Sequence, residues 1–339
     1  MIPKTMRAIV CPRVPIPPSG LLFESSYPAP TPKAGHVLIR VKAFGLNRSE
    51  LFTRQGASPG IQFPRVLGIE CVGVVQDAGG GKWKEGDVVA AVMGGMGRQF
   101  DGGYAEYTLV PQSQVSEPIK LPEGMGWDKF GAIPETFLTA WASLAVSLHL
   151  NEKDTLLIRG GTTGVGIACA TLAKSSLFKC AKVISTTRSD KKAKLLSAFG
   201  VDHVIIEDEA KSVAEKVKTL TGGKGADKCI ELIGPITLTD SCAALSDDGV
   251  CGVVGIVGGV WICKEFDPMG TLAPRKHLTM YSSATLDIGT APLQWIVDAV
   301  ARGEVNLGLD RVFKMHEAAK AHEYMEANMA AGKVVCLVD

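Results

Sequence analysis

The segment Leu156–Gly166 constrains the fold of this chain more than any other. It reads as a short apolar strand, then a turn rich in glycine and threonine, then the start of a helix. Glycine lets a backbone approach an anion closely, and the N–H groups and positive dipole at the start of a helix stabilise that anion. An ordinary tight turn would also fit this sequence, but the strands and helices that alternate after it favour a nucleotide-binding turn. We therefore predict that the turn binds a nucleotide pyrophosphate through Gly160, Gly161, Thr162, Thr163, Gly164, Val165 and Gly166.

The remainder of the chain changes its pattern near Trp127. Before it, from Met6 to about Glu123, short β-type runs are separated by Gly, Pro, Asn and Asp, which is typical of an antiparallel or barrel-like β domain. After it, strands and helices alternate, which predicts a doubly wound parallel sheet. The closing strand, Lys333–Val338, is expected to pair with the first domain. We predict an α/β fold with domains at 1–125 plus 270–339 and at 126–269.

Charge and cysteine content limit the partners and the compartment. The chain has 36 Lys and Arg against 35 Asp and Glu in 339 residues, so no single-signed field favours nucleic acid as the main partner. Its nine cysteines form no C-x-x-C pair, which indicates reduced thiols in a reducing compartment. The first residues lack a signal sequence, and Val250–Cys263 is shorter than the roughly 20 residues that cross a bilayer. We expect a cytoplasmic protein without a membrane partner.

The strand after the glycine turn indicates which dinucleotide binds. An acidic residue at its end favours NAD, whereas a 2′-phosphate requires cations and hydroxyls. Here the strand is followed by Arg188, Ser189 and Lys192, which favour NADP(H) as the cofactor. The alternative is that these are solvated residues at the start of a helix whose acidic N-terminal cap is Asp190.

Short motifs along essentially the whole chain are shared with one enzyme superfamily. They are Gly45–Glu50 with Arg54 and Gly56, Leu67–Gly73, Gly86–Val89, Gly103–Tyr107, Phe137–Ala140 and Ala331–Val335. With them, the chain resembles the medium-chain dehydrogenase/reductase superfamily, in its zinc-independent quinone oxidoreductase-like branch. The resemblance implies a Rossmann domain, a GroES-like β-rich barrel domain, and a homodimer paired edge to edge through the nucleotide-domain sheet at Val250–Trp261.

The positions that hold zinc in other branches of this superfamily are changed here. The resemblance places the three catalytic ligand positions, usually Cys, His and Cys, at Asn47, Ile69 and Glu135. Isoleucine cannot ligate a metal, an amide is a poor zinc ligand, and one carboxylate does not make a site. The cysteines of a structural zinc lobe are missing from Ala90–Glu106. We therefore expect no metal.

The resemblance also assigns the remaining site residues. It implies that the candidate catalytic residues Asn47 and Thr139 contact the nicotinamide. Along the rest of the cofactor it places Gly234, Gly255, Ile256 and Val257, with Asn328 near the outer end. Asn47 could equally be a turn residue, and Thr139 could be a helix hydroxyl bonded to its own backbone.

These expectations define a predicted reaction. Without a metal, an alcohol lacks the Lewis acid that makes its oxidation easy. Hydride transfer to an electron-poor acceptor mainly requires orientation. We predict an NADPH-dependent reductase of a small-molecule quinone or enone (α,β-unsaturated carbonyl). The alternatives are a pathway-specific alcohol dehydrogenase or enoyl reductase of the same superfamily, or a non-catalytic NADPH-binding protein.

Three positions depart from the family pattern. Thr163 replaces the middle glycine of the phosphate turn, and Phe52 stands where quinone reductases often carry a tyrosine. Glu207 replaces a tyrosine that often flanks the adenosine phosphate. Its charge would oppose a 2′-phosphate unless it pairs with Arg188 or Lys192.

Overall fold

The computed structural model describes residues 2–207 and 212–339. These residues divide into two compact units, each assembled from separate stretches of the chain. The first unit comprises Met1–Leu138, Ala284–Gly303 and Leu309–Asp339, and the second comprises Thr139–Ser283 and Glu304–Gly308.

The strands and helices are numbered in chain order. The strands are β1 (Thr5–Cys11), β2 (Leu22–Pro28), β3 (His36–Leu46), β4 (Arg65–Val66), β5 (Glu70–Asp77), β6 (Val88–Val92), β7 (Tyr107–Pro111), β8 (Thr155–Arg159), β9 (Lys182–Thr187), β10 (His203–Ile206), β11 (Ala226–Glu231), β12 (Leu245–Val253), β13 (His277–Met280), β14 (Leu309–Lys314) and β15 (Lys333–Leu337). The helices are α1 (Arg48–Arg54), α2 (Trp127–Gly131), α3 (Pro134–Ala142), α4 (Gly164–Lys174), α5 (Asp190–Leu196), α6 (Val213–Leu220), α7 (Pro235–Ala243), α8 (Pro268–Thr271), α9 (Leu293–Ala301) and α10 (Ala318–Glu326).

The first unit is rich in antiparallel strands. One sheet has the order β2–β1–β4, and another has the order β14–β15–β3–β5–β6 with β7 also on β3. The first half of β3 pairs with β7, and its second half pairs antiparallel with β15. The predicted return of the closing strand to the first part of the chain is therefore confirmed.

The second unit contains a parallel sheet. Within the described residues its order is β10–β9–β8–β11–β12–β13, and each neighbouring pair is parallel. Counted from β8, this is the 3-2-1-4-5-6 order of the doubly wound Rossmann fold, as predicted. The strand order reverses between β8 and β11, and ligands of such folds bind at the carboxyl ends of the strands flanking that point.

Strand β8 holds the phosphate turn on a buried support. Leu156, Leu157 and Ile158 are fully buried, as expected of a central parallel strand covered on both faces. Each such side chain stabilises the fold by about 1.5–3 kcal/mol through its removal from water. The turn after β8 therefore starts from a fully buried strand.

The edge of this sheet differs from the expectation. Strand β12 is an interior strand that pairs with both β11 and β13, so the edge strand on this side of the sheet is β13, with β10 at the opposite edge. The start of the stretch Val250–Trp261 thus lies inside the sheet, and its end, at Val260 and Trp261, is exposed. An edge-to-edge contact between two copies would use β13 instead. Among the described residues, no helix has both the length and the apolarity that crossing a membrane requires.

Candidate active site

The phosphate turn at the end of β8 needs glycine for two separate reasons. Gly160 has a φ of +84°, a backbone conformation that side chains disfavour. At Gly161 a Cβ atom would lie 1.8 Å from Ser185 Oγ on β9. At Gly166 a Cβ atom would lie 2.6 Å from the carbonyl oxygen of Gly160. The turn and the start of α4 thus pack too closely for larger residues, which leaves backbone rather than side chain facing a ligand.

Thr163, the departure from the glycine pattern, is the N-cap of α4. Its Oγ accepts a hydrogen bond from Gly166 N–H at 3.0 Å and donates to the carbonyl of Gly160 at 2.9 Å. One of the first-turn N–H groups is therefore satisfied within the protein. The N–H groups of Gly164 and Val165 have no intrahelical acceptor, as in any first turn, and suit a phosphate oxygen.

Two more turns meet the phosphate turn at the same end of the sheet. Gly234, which follows β11, has a φ of +103°, and its N–H donates to Glu231 Oε1 at 3.0 Å. A Cβ at Gly234 would lie 3.3 Å from the side chain of Ile256, in the turn after β12. A Cβ at Gly160 would lie 2.9 Å from the side chain of Ile233. The structure thus brings Gly160, Gly234 and Ile256, three of the predicted cofactor residues, to one end of the sheet.

The residues predicted to bind a 2′-phosphate begin helix α5. Ser189 is its N-cap, and its Oγ accepts from Lys192 N–H at 3.4 Å. Asp190 is the first helical residue, so the N-cap of α5 is Ser189 and not Asp190. Arg188 is exposed and Lys192 is half-buried. The predicted set therefore lies together at the carboxyl end of β9.

Glu207 pairs with neither Arg188 nor Lys192 in the structure, but with Arg159. Arg159 Nε lies 3.2 Å from Glu207, and its Nη1 lies 2.8 Å from Asp240 on α7. Burial disfavours the Arg159 charge, but attraction by Glu207 and Glu231 and the hydrogen bond to Asp240 outweigh it and raise the Arg159 pKa. Glu207 is thus paired with a cation inside the unit, which it shares with Asp240. This role of Arg159 was not predicted from the sequence, although a cation at the end of an apolar strand is a visible signal.

Asn47 belongs to a buried polar cluster in the first unit, which we define as Asn47, Glu50, Glu70 and Lys333. Asn47 is the N-cap of α1, and its N–H donates to Glu50 Oε2 at 3.1 Å. Its Nδ2 donates to Glu70 Oε1 at 2.9 Å, and its Oδ1 accepts from Lys333 Nζ at 2.6 Å. Lys333 also pairs with Glu70 Oε1 at 2.6 Å. Asn47 is thus the N-cap of a helix, with an amide whose orientation is fixed by its two partners.

The ionisable members of the polar cluster are almost fully buried, with 1% exposure at Glu50, 0% at Glu70 and 3% at Lys333. Burial raises the pKa of Glu50 to about 7, although a hydrogen bond from Ile69 N–H and the charge of Lys333 favour its ionised form. Glu70 pairs with the Lys333 ammonium, while its Oε2 accepts from Glu135 N–H at 2.9 Å. All these groups lie in motifs that the sequence analysis used, but their contacts with Asn47 were not foreseen.

These contacts do not fit a catalytic zinc ion at the three family positions. The Oδ1 of Asn47 is taken by Lys333, whose positive charge would repel a cation at this place. The side chain of Ile69 has no ligand atom, and its backbone N–H donates to Glu50. Across the described ranges, no group of three or more His, Cys, Asp or Glu side chains is arranged to hold a metal ion.

The other two predicted contacts are less fully defined. Thr139 is buried in α3, and its carbonyl oxygen accepts from Ser143 Oγ at 2.7 Å. Asn328 has a φ of +52°, and its Oδ1 accepts from Arg48 Nη2 at 3.3 Å. Their predicted contacts with the cofactor stay predictions.

Two family models and several known proteins match this chain. The model for the alcohol dehydrogenase GroES-like domain matches residues 33–123, and the model for zinc-binding dehydrogenase matches residues 164–302. Quinone oxidoreductase from Homo sapiens is 28% identical over 330 residues, or 95% of this chain and 94% of that protein. 2-Haloacrylate reductase from Burkholderia sp. is 27% identical over 319 residues, or 91% of this chain and 92% of that protein.

Solved structures of two relatives also superimpose on this chain. A mycobacterial protein in complex with NADPH superimposes with a TM-score of 0.84 at 27% identity, covering 98% of this chain and 100% of that one. An NAD-dependent alcohol dehydrogenase gives a TM-score of 0.83, with the same identity of 27% and the same coverage of 98% and 100%.

The chain belongs to the medium-chain dehydrogenase/reductase superfamily, in its quinone oxidoreductase-like branch. The predicted family and fold class, a Rossmann sheet with a GroES-like β-rich domain, are confirmed. The protein is accordingly an oxidoreductase of a superfamily that uses nicotinamide cofactors.

Proposed function

We propose that this protein is a zinc-independent, NADPH-dependent reductase of quinones or α,β-unsaturated carbonyls. The observation that carries the proposal is the polar cluster at the family's metal position. The ammonium of Lys333 bonds to Asn47 and Glu70 there, so the place suited to a Lewis acid is taken by a protein cation. An acceptor that is already electron-poor does not need metal activation to receive a hydride.

The proposed reaction balances as follows: NADPH, one proton and a quinone give NADP⁺ and a hydroquinone. The cofactor, when bound, supplies the hydride. The chain supplies binding and orientation, which account for much of the rate in such reactions. The backbone of Gly160–Gly166 binds the pyrophosphate, while Asn47 and Thr139 contact the nicotinamide. The proton comes from water or the ribose, since no side chain is assigned as its donor.

Support for NADP(H) over NAD(H) comes from the end of β9. Arg188, Ser189 and Lys192 lie together there, and the nearby carboxylate of Glu207 is paired with Arg159. A 2′-phosphate would therefore meet a cationic and hydroxylated surface whose acidic neighbour is paired with Arg159. The relative solved with NADPH agrees, although another solved relative is described as NAD-dependent.

Replacing both Arg188 and Lys192 by alanine tests this preference. We expect NADPH affinity to fall roughly 10- to 100-fold while NADH affinity changes little, because charged hydrogen bonds to phosphate contribute about 1.5–3 kcal/mol. Fluorescence titration of the protein with each cofactor measures the two affinities. Equal losses for the two cofactors would refute the assignment.

Assembly and compartment follow as parts of the proposal. An edge-to-edge homodimer through β13 is supported by the exposed apolar side chain of Met280 on that strand, and Val260, Trp261 and Ile262, which follow β12 in the chain, are exposed as well. The cysteines are unpaired within the described residues, and all except Cys263 are buried, which supports a reducing, cytoplasmic compartment.

The acceptor class is tested with 1,2-naphthoquinone, a small enone and a secondary alcohol. We expect NADPH oxidation with the first two, and no appreciable NADP⁺ reduction with the alcohol. Turnover of only the alcohol would favour a dehydrogenase and overturn the proposal. Binding of NADPH without turnover of any acceptor would favour a non-catalytic protein.

A further inference from the structure

A cavity of about 290 Å³ lies in the first unit beside the polar cluster. Ile69, which precedes Glu70, forms one part of its lining, and Met93 and Met96 add apolar surface. This volume is near the lower end, about 300 Å³, of cavities that hold small molecules. The cavity is therefore a candidate acceptor pocket.

The loop after β6 gives this cavity a defined wall. Met93, Gly94 and Gly95 all have positive φ, at 56°, 57° and 97°. The N–H of Met93 donates to the carbonyl of Ile69 at 2.7 Å, and that of Arg98 to the carbonyl of Gly95 at 3.1 Å. A Cβ at Gly94 would lie 2.2 Å from Gln114 Cγ. The loop is thus tightly folded, which fixes the backbone from which Arg98 projects.

Among the described residues that line this cavity, Arg98 alone is charged. Its Nη2 donates a hydrogen bond to Ser49 Oγ, and it forms no ion pair with the described residues. Its Nε is buried and has no hydrogen-bond acceptor in the described part of the chain. A buried donor without an acceptor is costly, and a guanidinium pairs especially well with a planar anion such as a carboxylate.

We propose that Arg98 determines substrate specificity by binding an anionic group on the acceptor, so that the preferred substrate is an electron-poor acceptor bearing a carboxylate or sulfonate. The inference rests on the proposed function for its redox step and adds none of its own. Ile69, Met93 and Met96 would contact the apolar body of the acceptor, and Arg98 its anionic group.

The test compares 1,2-naphthoquinone-4-sulfonate with uncharged 1,2-naphthoquinone, in the wild-type protein and in Arg98→Met. We expect the substitution to lower kcat/KM for the sulfonate roughly tenfold or more, mainly through KM, with the neutral quinone changed less than about twofold. Because each quinone is its own reference, their different reduction potentials cancel. Compared with Arg98→Met, Arg98→Lys should retain part of the preference for the sulfonate over the neutral quinone.

Arg40→Met is the matched control, since Arg40 is an exposed arginine of the same unit. It makes the same change in net charge, and we expect it to leave the ratio of the two quinones unchanged. If Arg98→Met lowers kcat/KM equally for both quinones, or for neither, the specificity proposal is overturned and the reductase proposal stands.

Redox-inert naphthalene-1-sulfonate provides a test on the wild-type protein, in case Arg98→Met does not fold. We expect competitive inhibition against 1,2-naphthoquinone by the sulfonate and much weaker inhibition by the uncharged sulfonamide. Equal inhibition by both would contradict the inference. If no quinone is turned over, yet calorimetry shows sulfonate binding that Arg98→Lys weakens, the reductase proposal fails and the anion site remains.

Discussion

At the scale of single residues, Asn47 is the best-defined member of the candidate site. Its amide donates to Glu70 and accepts from Lys333, so exchanging its oxygen and nitrogen would leave both contacts unfavourable. The backbone N–H of Asn47 also donates to Glu50. A side chain held this way presents a single arrangement to whatever binds next to it, which is what orientation of a reactant requires.

Gly45 is the residue that makes room for the ion pair of the polar cluster. A Cβ there would lie 2.4 Å from both Glu70 Oε1 and Lys333 Cε. We expect Gly45→Ala to lower the free energy of unfolding by roughly 2–4 kcal/mol, because overpacking and disturbance of a buried pair both destabilise. Urea unfolding measures it. In Gly289→Ala the new Cβ meets only Asp287 Oδ1, at 3.2 Å, and a loss as large in this control would contradict the explanation.

The raised pKa of Glu50 predicts a pH dependence of stability. In the unfolded chain Glu50 releases its proton near pH 4.5, but burial keeps it protonated in the fold up to about pH 7. The folded state therefore binds more protons in that window, and its stability falls as the pH rises through it. Glu50→Gln removes this titration but keeps an acceptor for Ile69 N–H. The unfolding free energy of this variant should therefore decline less with rising pH than that of the wild type.

Urea titrations at several pH values between 4.5 and 7 compare wild type with Glu50→Gln. We expect a difference that grows with pH and amounts to a few kcal/mol at most. Parallel curves for the two proteins would show that Glu50 ionises in the fold as it does in water.

At the scale of elements, the phosphate turn joins strand β8 to helix α4. Thr163 caps α4 and bonds back to Gly160, so a single hydroxyl connects both sides of the turn. This explains why threonine serves where the family pattern has glycine. The helix gains a cap, and the N–H groups of Gly164 and Val165 are left for the ligand.

Removal of that cap has a predictable cost. Thr163→Ala should lower the free energy of unfolding by about 0.5–2 kcal/mol, while Thr163→Ser should retain most of it. Thermal unfolding with and without NADPH measures both variants. If serine destabilises as much as alanine, the hydroxyl contributes nothing and the capping explanation fails.

Elements with a clear local signal were predictable from the sequence. The apolar run and glycines at Leu156–Gly166 predicted β8 and α4, because strand and helix periods are local properties. The cap of α5 was less certain, since Ser189 and Asp190 are both good N-caps and only the backbone geometry distinguishes them. The contacts of Arg159 and Lys333 were not predictable, because their partners are distant along the chain. Lys333 and Asn47 are 286 residues apart.

At the scale of the whole molecule, pairing between distant strands decides what the sequence can and cannot predict. The return of β15 to the first domain was predicted because an apolar terminal strand needs a partner, and the structure gives β3 as that partner. The place of β13 at the edge was not, because His277–Met280 is short, partly exposed and lacks a buried apolar run. That strand changes which surface an edge-to-edge dimer would use.

We propose that this member of a family with many zinc enzymes reduces an electron-poor acceptor without a metal. Total metal analysis of the purified protein, combined with its rate of NADPH oxidation by 1,2-naphthoquinone before and after dialysis against a strong chelator, tests it most directly. We predict far less than one zinc per chain and an unchanged rate. A content near one zinc per chain, with activity lost on chelation and restored by zinc, would contradict the account.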